Sequence, residues 1–233
     1  MFAFRNDPGA GGAGIAFCDA VTPSGHLDLA DRAGGPAPDW RLVETALGVP
    51  VLHPRQVHGT RVLTVAHDTD PAVCAATAAD ARVTVARGLG VAVRVADCLP
   101  VLLADPGAGV VGAAHAGRVG LAAGVLPATL AAMAALGAER VTAWIGPHIC
   151  GSCYEVPEAM REQVSAGLPR AWATTSWGTP ALDLGAAAGH QLEAAGCHVV
   201  SVGACTRETA TLHSHRRDAA AAGRQAGIVW LPG

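Results

Sequence analysis

Lysine is absent from this sequence of 233 residues, and all 16 of its basic residues are arginine. The absence excludes nucleotide binding through a Walker-A lysine and covalent catalysis through a lysine Schiff base. Any anion that the protein holds must therefore contact arginine, backbone N–H groups or a metal ion. Charge is also scarce, since 15% of the residues are charged, against about 25% in typical soluble proteins. The net charge of −3 gives no electrostatic reason to expect nucleic acid or a membrane as partner.

The sequence also lacks the segments that direct a chain into a membrane. Residues 1–8 do not show the basic and apolar regions of a signal peptide. The most apolar stretch, 121–136, is shorter than the roughly 20 residues of a membrane helix. The seven cysteines are odd in number and scattered along the chain, which is typical of a reduced protein. We therefore expect a cytoplasmic location.

Hydrophobic periodicity predicts helices and strands that interleave without a regular βαβ rhythm. The predicted helices cover 39–47, 119–136, 157–166 and 184–195, and the predicted strands cover 49–52, 60–65, 91–95, 99–104, 109–114, 141–145, 198–202 and 228–231. We expect irregular edge structure over the first 36 residues and a loop over 68–80. No repeat or linker divides the chain. The pattern predicts one domain over 1–233, an α/β (α+β) mixed-sheet sandwich flanked by helices.

A turn signal between two of these strands relates a cysteine to a histidine. Asp105-Pro106-Gly107-Ala108 is typical of a β-turn. If Asp105 pairs with Ala108, an unbulged hairpin places Cys98 directly opposite His115, with Cβ atoms about 5 Å apart. Such a pair is a candidate metal site or catalytic pair, or a buried cysteine beside a structural histidine.

A third short segment offers another metal-ligand side chain. His58 lies in Arg55-Gln56-Val57-His58-Gly59, which, like the segments around Cys98 and His115, places a polar group beside an apolar run. Together they would form a Cys/His₂ site, and catalytic zinc typically has three protein ligands and one open position. The spacings are not those of a zinc finger, so spacing alone indicates the site only weakly.

The motifs around these residues, taken in order, resemble the laccase-domain family, also called the multicopper polyphenol oxidase or YfiH-like family of purine nucleoside phosphorylases. The similar segments are Gln56-Val57-His58-Gly59, Asp80, Ala96-Asp97-Cys98 through Asp105, His115-Ala116-Gly117, Ile145-Gly146-Pro147-His148-Ile149 with Tyr154-Glu155-Val156, and Ser214-His215-Arg216-Arg217-Asp218 with Gly223-Arg224. The match runs along most of the chain.

The resemblance implies a function as well as a fold. It implies that His58, Cys98 and His115 bind one zinc ion and form the catalytic centre. Side chains of these types could also bind copper in vitro. It also implies phosphorolysis of purine nucleosides (adenosine, inosine, guanosine and methylthioadenosine), deamination of adenosine, a compact mixed-sheet sandwich and a monomeric state.

Some positions depart from the family pattern. The Trp-Arg that follows His-Ala-Gly in the family is Arg118-Val119 here, and the threonine of its Thr-Gly-Arg ending is Ala222. An early family pattern is only faintly visible, in Phe4-Arg5 and Gly11-Gly12. These departures concern the substrate pocket rather than the metal ligands.

Several residues are candidates for supporting roles. Arg5, Arg41 and Arg55 are candidate phosphate or ribose ligands, since arginine binds phosphate through two parallel bonds. Asp80 or Asp97 is a candidate to orient a ligand histidine, or caps local backbone instead. Arg216-Arg217-Asp218 either binds phosphate or forms a structural ion pair, and His148 either lines the pocket or is an ordinary loop residue.

Other functions stay open at the level of sequence. A copper phenol oxidase would need several coppers and many His-x-His pairs, whereas His213-Ser214-His215 is the one such pair. Cys98 with His115 could instead act as nucleophile and base in a hydrolase, and a non-enzymatic role in cell-wall precursor fidelity is a further alternative. Cys150-Gly151-Ser152-Cys153 is interpreted as core or chance cysteines, since no second Cys-x-x-Cys accompanies it.

Overall fold

The computed structural model describes residues 1–9, 12–23, 25–31 and 38–233. Its helices are α1 (Trp40–Leu47), α2 (Pro71–Ala76), α3 (Arg118–Ala123), α4 (Val125–Ala135), α5 (Glu158–Gly167), α6 (Leu184–Ala194) and α7 (His215–Asp218). Its strands are β1 (Phe2–Asn6), β2 (Gly14–Cys18), β3 (Val21–Thr22), β4 (Gly25–His26), β5 (Val51–Leu52), β6 (Val62–Thr64), β7 (Ala81–Thr84), β8 (Gly90–Val95), β9 (Leu99–Asp105), β10 (Val110–Ala116), β11 (Thr142–Ile145), β12 (Trp172–Thr174), β13 (Pro180–Leu182), β14 (His198–Ser201) and β15 (Gln225–Trp230).

Two mixed sheets pack face to face. One has the strand order β1-β2-β15-β8-β5 and the other the order β14-β11-β9-β10-β7-β6. Most neighbours are antiparallel, but β5–β8, β6–β7 and β11–β14 are parallel pairs. Apolar side chains of both sheets, such as Phe17 and Val93 from one and Leu102 and Val111 from the other, fill the space between them. The predicted mixed-sheet α/β sandwich is therefore confirmed.

Helices cover the outer face of each sheet. Helix α1 packs Trp40, Val43 and Leu47 against the five-stranded sheet, while α3 to α6 share a core with the six-stranded sheet. Strands β9 and β10 are consequently buried on both faces, which explains why they are apolar runs rather than alternating patterns. In the described part of the chain, no helix has the length and apolar character needed to cross a bilayer.

The hairpin between β9 and β10 forms, but not in the predicted register. Asp105 pairs with Val110 rather than Ala108, because Gly109, at φ 67°, closes a longer turn in which the Asp105 carboxylate accepts the N–H of Ala108. His115 therefore faces Pro100, and direct opposition to Cys98 was wrong. The register differs by two residues, so Cys98 and His115 remain diagonal neighbours on one face.

The predicted helix over 119–136 is interrupted. Gly124 adopts φ 95° and separates α3 from α4, whose first turn contains Pro127. The first helical turn tolerates proline because its N–H groups have no intrahelical partner. Gly137 follows the end of α4 at φ 97°, the left-handed conformation in which glycine commonly ends a helix.

Several helices and strands of the structure were not predicted from hydrophobic periodicity. The segment 68–80, predicted to be a loop, contains α2. Asp70 is the N-cap of this helix and accepts the N–H groups of Ala72 and Val73, and Pro71 is its first residue. The first 36 residues contain β1 and β2, and β2 is a buried interior strand between β1 and β15. Strand β7 is also buried throughout. Gly11, part of the early family pattern noted in the sequence, lies outside the described residues.

Candidate metal centre and substrate cleft

Three segments bring His58, Cys98 and His115 together. His58 lies in the loop between β5 and β6, Cys98 in the turn between β8 and β9, and His115 near the end of β10. Their ligand atoms all lie within 4.8 Å of one another, and Cys98 Sγ is 3.7 Å from His58 Nε2. A tetrahedral zinc ion separates a thiolate from an imidazole nitrogen by about 3.5 Å. The arrangement therefore fits one metal ion with little movement.

Asp80 holds two of the three segments in place. Its buried carboxylate accepts the backbone N–H groups of His58 at 2.8 Å, Gly59 at 2.7 Å and Val57 at 3.2 Å. The same carboxylate is 2.8 Å from His115 Nδ1. The ring therefore donates through Nδ1–H, which leaves Nε2 as the nitrogen available to a metal, as is usual for metal-binding histidines. Asp80 thus fulfils both roles considered for it, orienting a histidine and capping backbone.

The loop that carries His58 is tightly constrained. His58 adopts φ 60°, a conformation that is uncommon outside glycine, and the N–H groups bound by Asp80 stabilise it. Gln56 fixes the start of the loop, since its amide donates to the carbonyl of Arg94 and accepts the N–H of Arg94, both at 2.7 Å. A Cβ on Gly117 would lie 2.6 Å from His58 Cδ2 and 3.2 Å from Cys98 Sγ, so the close approach requires glycine.

The electrostatics of the metal-free centre favour a thiolate. Burial opposes ionisation of Cys98, but hydrogen bonds from His115 and His58 outweigh it and lower the pKa of the thiol to about 6. Burial likewise opposes charging of His115, but Asp80 and Cys98 raise the pKa of the imidazole to about 9. Both shifts favour a thiolate beside a protonated imidazole when no metal is bound. The thiolate is the form that binds metal ions.

The centre lies in a cleft of about 740 Å³. Among its lining residues are Arg55, Arg94 and Arg224, with Asp31 as their carboxylate counterpart. Backbone carbonyls fix the guanidinium groups: Arg94 donates to Leu29 and Pro54, each at 3.3 Å, while Arg55 and Arg224 also bind carbonyl oxygens. Among the described lining residues, three guanidinium groups therefore face one carboxylate, and this part of the wall is positive.

The structure separates the three arginines that the sequence suggested as substrate ligands. Arg55 lines the cleft. Arg5 pairs with Asp7 at 2.6 Å and donates to the carbonyl of Ala46, and Arg41 lines a separate depression beside Glu44. Within the described residues, neither Arg5 nor Arg41 is part of the cleft wall.

Two arginines of the cleft were not singled out from sequence. Arg224 closes a motif quoted above, so its position in that motif was an available signal. Arg94 is the one half-buried residue of the otherwise buried strand β8, and this exception to an apolar run was the only local signal. The strand order, which sets β8 beside β15, brings both to one wall.

Asp97 and Arg217 have structural contacts. Asp97 accepts the hydroxyl of Thr206 and the N–H of Arg216, each at 2.6 Å, so it orders the C-terminal loops rather than a histidine. Arg217 pairs with Asp218 at 2.7 Å and donates to the carbonyls of Thr206 and Leu212. The Arg217–Asp218 ion pair was therefore predicted, but it was expected to be buried, whereas both side chains are about one-third exposed.

The departures after His115 fall at the start of α3. Val119 is half exposed. Burial raises the pKa of the Tyr154 hydroxyl, and Arg118 lies close enough to lower it in part, while nearby Cys98 raises it. Arg216 also lies over the Tyr154 ring, 5.1 Å from its centroid. The arginine that replaces the family's tryptophan thus takes part in a Tyr154 cluster beside the centre.

Comparison with known proteins agrees with this architecture. The family model described as multi-copper polyphenol oxidoreductase laccase matches residues 29–232. A protein of Streptomyces coelicolor named purine nucleoside phosphorylase is 47% identical, over 94% of this chain and 96% of its own. One of Streptomyces griseus with the same name is 47% identical, over 97% and 98%.

Solved structures show the same fold. A crystal structure of a Neisseria meningitidis protein, assigned to a family of unknown function, superposes with a TM-score of 0.82 at 30% identity and covers 99% of both chains. A hypothetical protein of Bacillus licheniformis superposes with a TM-score of 0.80 at 23% identity, over 94% of this chain and 92% of its own.

Proposed function

Because this chain belongs to the multi-copper polyphenol oxidoreductase laccase family, we propose that it is a purine nucleoside phosphorylase that uses zinc and also deaminates adenosine. The observation that carries the proposal is the cleft itself, in which His58, Cys98 and His115 meet beside three arginines. The relatives named purine nucleoside phosphorylase support it, since they match nearly the whole chain.

The arginines suit the phosphate that phosphorolysis requires. In this reaction a phosphate oxygen bonds to C1′ of the ribose, the glycosidic bond to the purine nitrogen breaks, and the base leaves with a proton. Arg55, Arg94 and Arg224 offer guanidinium groups that bind phosphate oxygens in pairs. Their anchoring to carbonyls fixes their positions before substrate arrives, which reduces the ordering cost of binding. Because the chain has no lysine, these arginines are the fixed cations that the described lining of the cleft offers, apart from histidine or a metal.

The ligand set fits zinc. One thiolate and two imidazoles match the sulfur and nitrogen ligands of zinc, and three protein ligands are typical of catalytic sites. Zinc bound there would supply a Lewis acid that attracts anionic oxygen and lowers the pKa of water. The chain contributes the orientation of His115 through Asp80. Deamination would replace the 6-amino group of adenosine with oxygen from water and release ammonia.

The oxidase alternative finds little support in the histidine arrangement. His213 is buried, and its Nε2 is 2.8 Å from the carbonyl oxygen of Leu27. His215 instead lines the cleft, so the two rings of the His-x-His pair occupy different surroundings. Among the described residues, the groups able to hold a metal include neither of them. A cluster of several coppers therefore has no evident ligands here.

A hydrolase is the second candidate, and a specific observation favours it. The Asp80 carboxylate lies 2.8 Å from His115 Nδ1 and orients the imidazole, and His115 has a ring nitrogen within 4.8 Å of Cys98 Sγ and helps to lower the pKa of the thiol. This is the order of groups in a nucleophile–base–orienter triad. If Cys98 is a nucleophile and not a metal ligand, it should be alkylated at the same rate before and after metal loading. If Cys98 binds the metal, loading should protect it from alkylation.

The deciding experiment measures nucleoside turnover with and without phosphate. Zinc-loaded protein is incubated with adenosine, inosine or methylthioadenosine, and free base, ribose 1-phosphate and inosine are separated by chromatography. Free base and ribose 1-phosphate that form only with phosphate support phosphorolysis, and inosine formed from adenosine supports deamination. No turnover of any nucleoside by metal-loaded protein would overturn the proposal.

Arginine variants test the cleft itself. We expect Arg224→Met to raise the KM for phosphate at least tenfold, since a charge-assisted hydrogen bond contributes about 1.5–3 kcal/mol. Arg41→Met is the matched control because Arg41 lies in the separate depression. The sequence-based prediction that Arg41 binds substrate would require the opposite result, a raised KM in the control.

A further inference from the structure

Three cysteines and a glutamate meet at a second place in the fold. Their ligand atoms, from Cys150, Cys153, Cys205 and Glu208, all lie within 4.8 Å of one another. Cys150 and Cys153 are in the loop after β11, and Cys205 and Glu208 are in the loop after β14. Cys150 and Cys153, interpreted from sequence as core or chance cysteines, therefore have two further ligand-type neighbours that the sequence places more than fifty residues away.

The two loops present their side chains in the same way. In the first loop, the carbonyl of Cys150 accepts the N–H groups of Cys153 and Tyr154, both at 3.0 Å. In the second loop, the carbonyl of Cys205 accepts those of Glu208, at 3.2 Å, and Thr209, at 3.0 Å. Each loop is thus a tight turn that directs its first and fourth side chains to one point. Two such turns, of pattern Cys-x-x-Cys and Cys-x-x-Glu, face each other.

The backbone holds the two turns in register. His148 and Cys205 form a parallel bridge, in which the N–H of His148 donates to the carbonyl of Ala204 at 3.2 Å and that of Thr206 donates to the carbonyl of His148 at 3.0 Å. Gly151 permits the close packing of the first turn, because a Cβ there would lie 2.8 Å from Cβ of Asp183.

We propose that Cys150, Cys153, Cys205 and Glu208 bind a second, structural divalent ion of the zinc class. Three thiolates and one carboxylate complete a tetrahedral set, which is the closed coordination of structural zinc sites. Zinc–sulfur bonds of about 2.3 Å place tetrahedral ligands about 3.8 Å apart, so the present spacing needs only a small contraction. Binding displaces three thiol protons to solvent.

The surroundings complement the charge of such a site. A zinc ion with four anionic ligands forms a site of net charge −2. Burial raises the pKa of the Cys153 thiol, and the nearby Arg207 guanidinium acts in the opposite direction. Arg207 itself stacks on Trp177, 4.6 Å from the ring centroid. Cys153 is buried, Cys150 and Cys205 are partly buried, and Glu208 is exposed, so one edge of the cluster is open for the ion to enter.

The second site would also stabilise one wall of the first. Thr206 lies between two of the proposed ligands and donates to Asp97 at 2.6 Å, and Asp97 directly precedes Cys98. The N–H of Ile149, next to Cys150, donates to the carbonyl of Asp97 at 3.0 Å. An ion that joins the two loops therefore fixes the backbone around Cys98 without contacting substrate.

Metal stoichiometry tests the inference independently of catalysis. The protein is purified under a phosphine reductant, loaded with zinc, desalted and measured by plasma mass spectrometry. We expect Cys98→Ala to retain one zinc per chain, and Cys98→Ala/Cys205→Ser to retain none. Cys98→Ala/Cys197→Ser is the matched control and keeps the ion, because Cys197 packs against the core outside the cluster. Cys98→Ala/Glu208→Gln, a milder change at an exposed position, should bind zinc at least tenfold more weakly.

Cobalt substitution gives a readout that needs no substitution within the proposed second site. Cobalt loaded into Cys98→Ala should show an intense thiolate-to-cobalt charge-transfer band, since several thiolates bind the ion. Failure of Cys98→Ala to bind zinc or cobalt would overturn the inference, as would a disulfide among the three cysteines, detected as a mass lower by two hydrogens in the reduced preparation. Either result leaves the proposed phosphorolysis untouched, because that rests on the separate cleft.

Discussion

Replacement of Asp80 by asparagine separates the role of the carboxylate from its shape. One carboxylate oxygen accepts His58 N–H and His115 Nδ1–H, both at 2.8 Å, and the other accepts Gly59 N–H at 2.7 Å and Val57 N–H at 3.2 Å. An amide has one accepting oxygen and one donating nitrogen. In either orientation, two of these donors therefore face an NH₂ group.

Both orientations carry a cost that the structure specifies. If the oxygen stays with His58 and His115, the N–H groups of Gly59 and Val57 lose their acceptor. A hydrogen bond to a charged group contributes about 1.5–3 kcal/mol, so the free energy of unfolding should fall by about 3–6 kcal/mol. If the amide turns, His115 must move its proton to Nε2, and the lone pair that faces Cys98 is lost. We therefore also expect metal affinity to fall by about 10–100-fold, the usual effect of removing such a partner.

Urea unfolding followed by tryptophan fluorescence, with and without a chelator, measures the first quantity, and competition with a chromophoric chelator measures the second. Asp97→Asn is the matched control. Its amide oxygen can accept the N–H of Arg216 while its nitrogen donates to the Thr206 hydroxyl, and asparagine tolerates the φ of 86° at this position. Wild-type stability and wild-type zinc affinity in Asp80→Asn would refute the reasoning.

Two further predictions concern Gly117, which directly precedes α3, and Asp105, the last residue of β9. Gly117→Ala should leave the fold intact but weaken zinc binding at least tenfold in the same competition assay, because its Cβ would lie 2.6 Å from His58 Cδ2; unchanged affinity would contradict this account. Backbone N–H groups of Arg140 and Glu139 outweigh the effect of burial and hold the pKa of Asp105 below its usual value. A lowered pKa stabilises the fold above the unfolded-state pKa, and that stability is lost as the pH falls through the folded-state pKa. Asp105→Asn should therefore be about 2 kcal/mol less stable than wild type at pH 7, and this difference should vanish in acid. Thermal unfolding of both proteins from pH 7 to pH 2 measures the difference. A difference in stability that does not change with pH would contradict this role of the Asp105 carboxylate.

Helices and strands were predicted correctly where the local sequence pattern was strong. Helix α1 and strands β8, β9 and β11 combine apolar periodicity or apolar runs with clear boundaries, and each was found close to its predicted range. Strand β2 was missed because Gly14-Ile15-Ala16-Phe17-Cys18 is short and lies between glycine-rich segments. Only its neighbours β1 and β15 make it a strand, since they supply its hydrogen bonds.

The candidate site divides in a similar way. His58, Cys98 and His115 were identified from motifs, and the structure brings them together even though the predicted hairpin register was wrong. A shift of two residues preserves the face of a strand, whereas a shift of one would have separated the pair. The arginines were harder to place, because Arg94 and Arg224 reach the cleft through the pairing of β8 with β15, and strand order is not encoded in any local pattern.

The sequence by itself determined which side chains are available for binding and catalysis. It contains no lysine, so arginine is its permanently charged basic side chain, and it contains one Cys/His₂ ligand set in recognisable motifs. Only the tertiary structure decided which of these groups meet. It made Asp80 the partner of His115 across thirty-five residues, and it joined Cys150 and Cys153 to Cys205 and Glu208. The physical reason is that ligand identity is a local property of a side chain. Convergence depends on long-range strand pairing and on buried carboxylates whose partners lie far away in the chain.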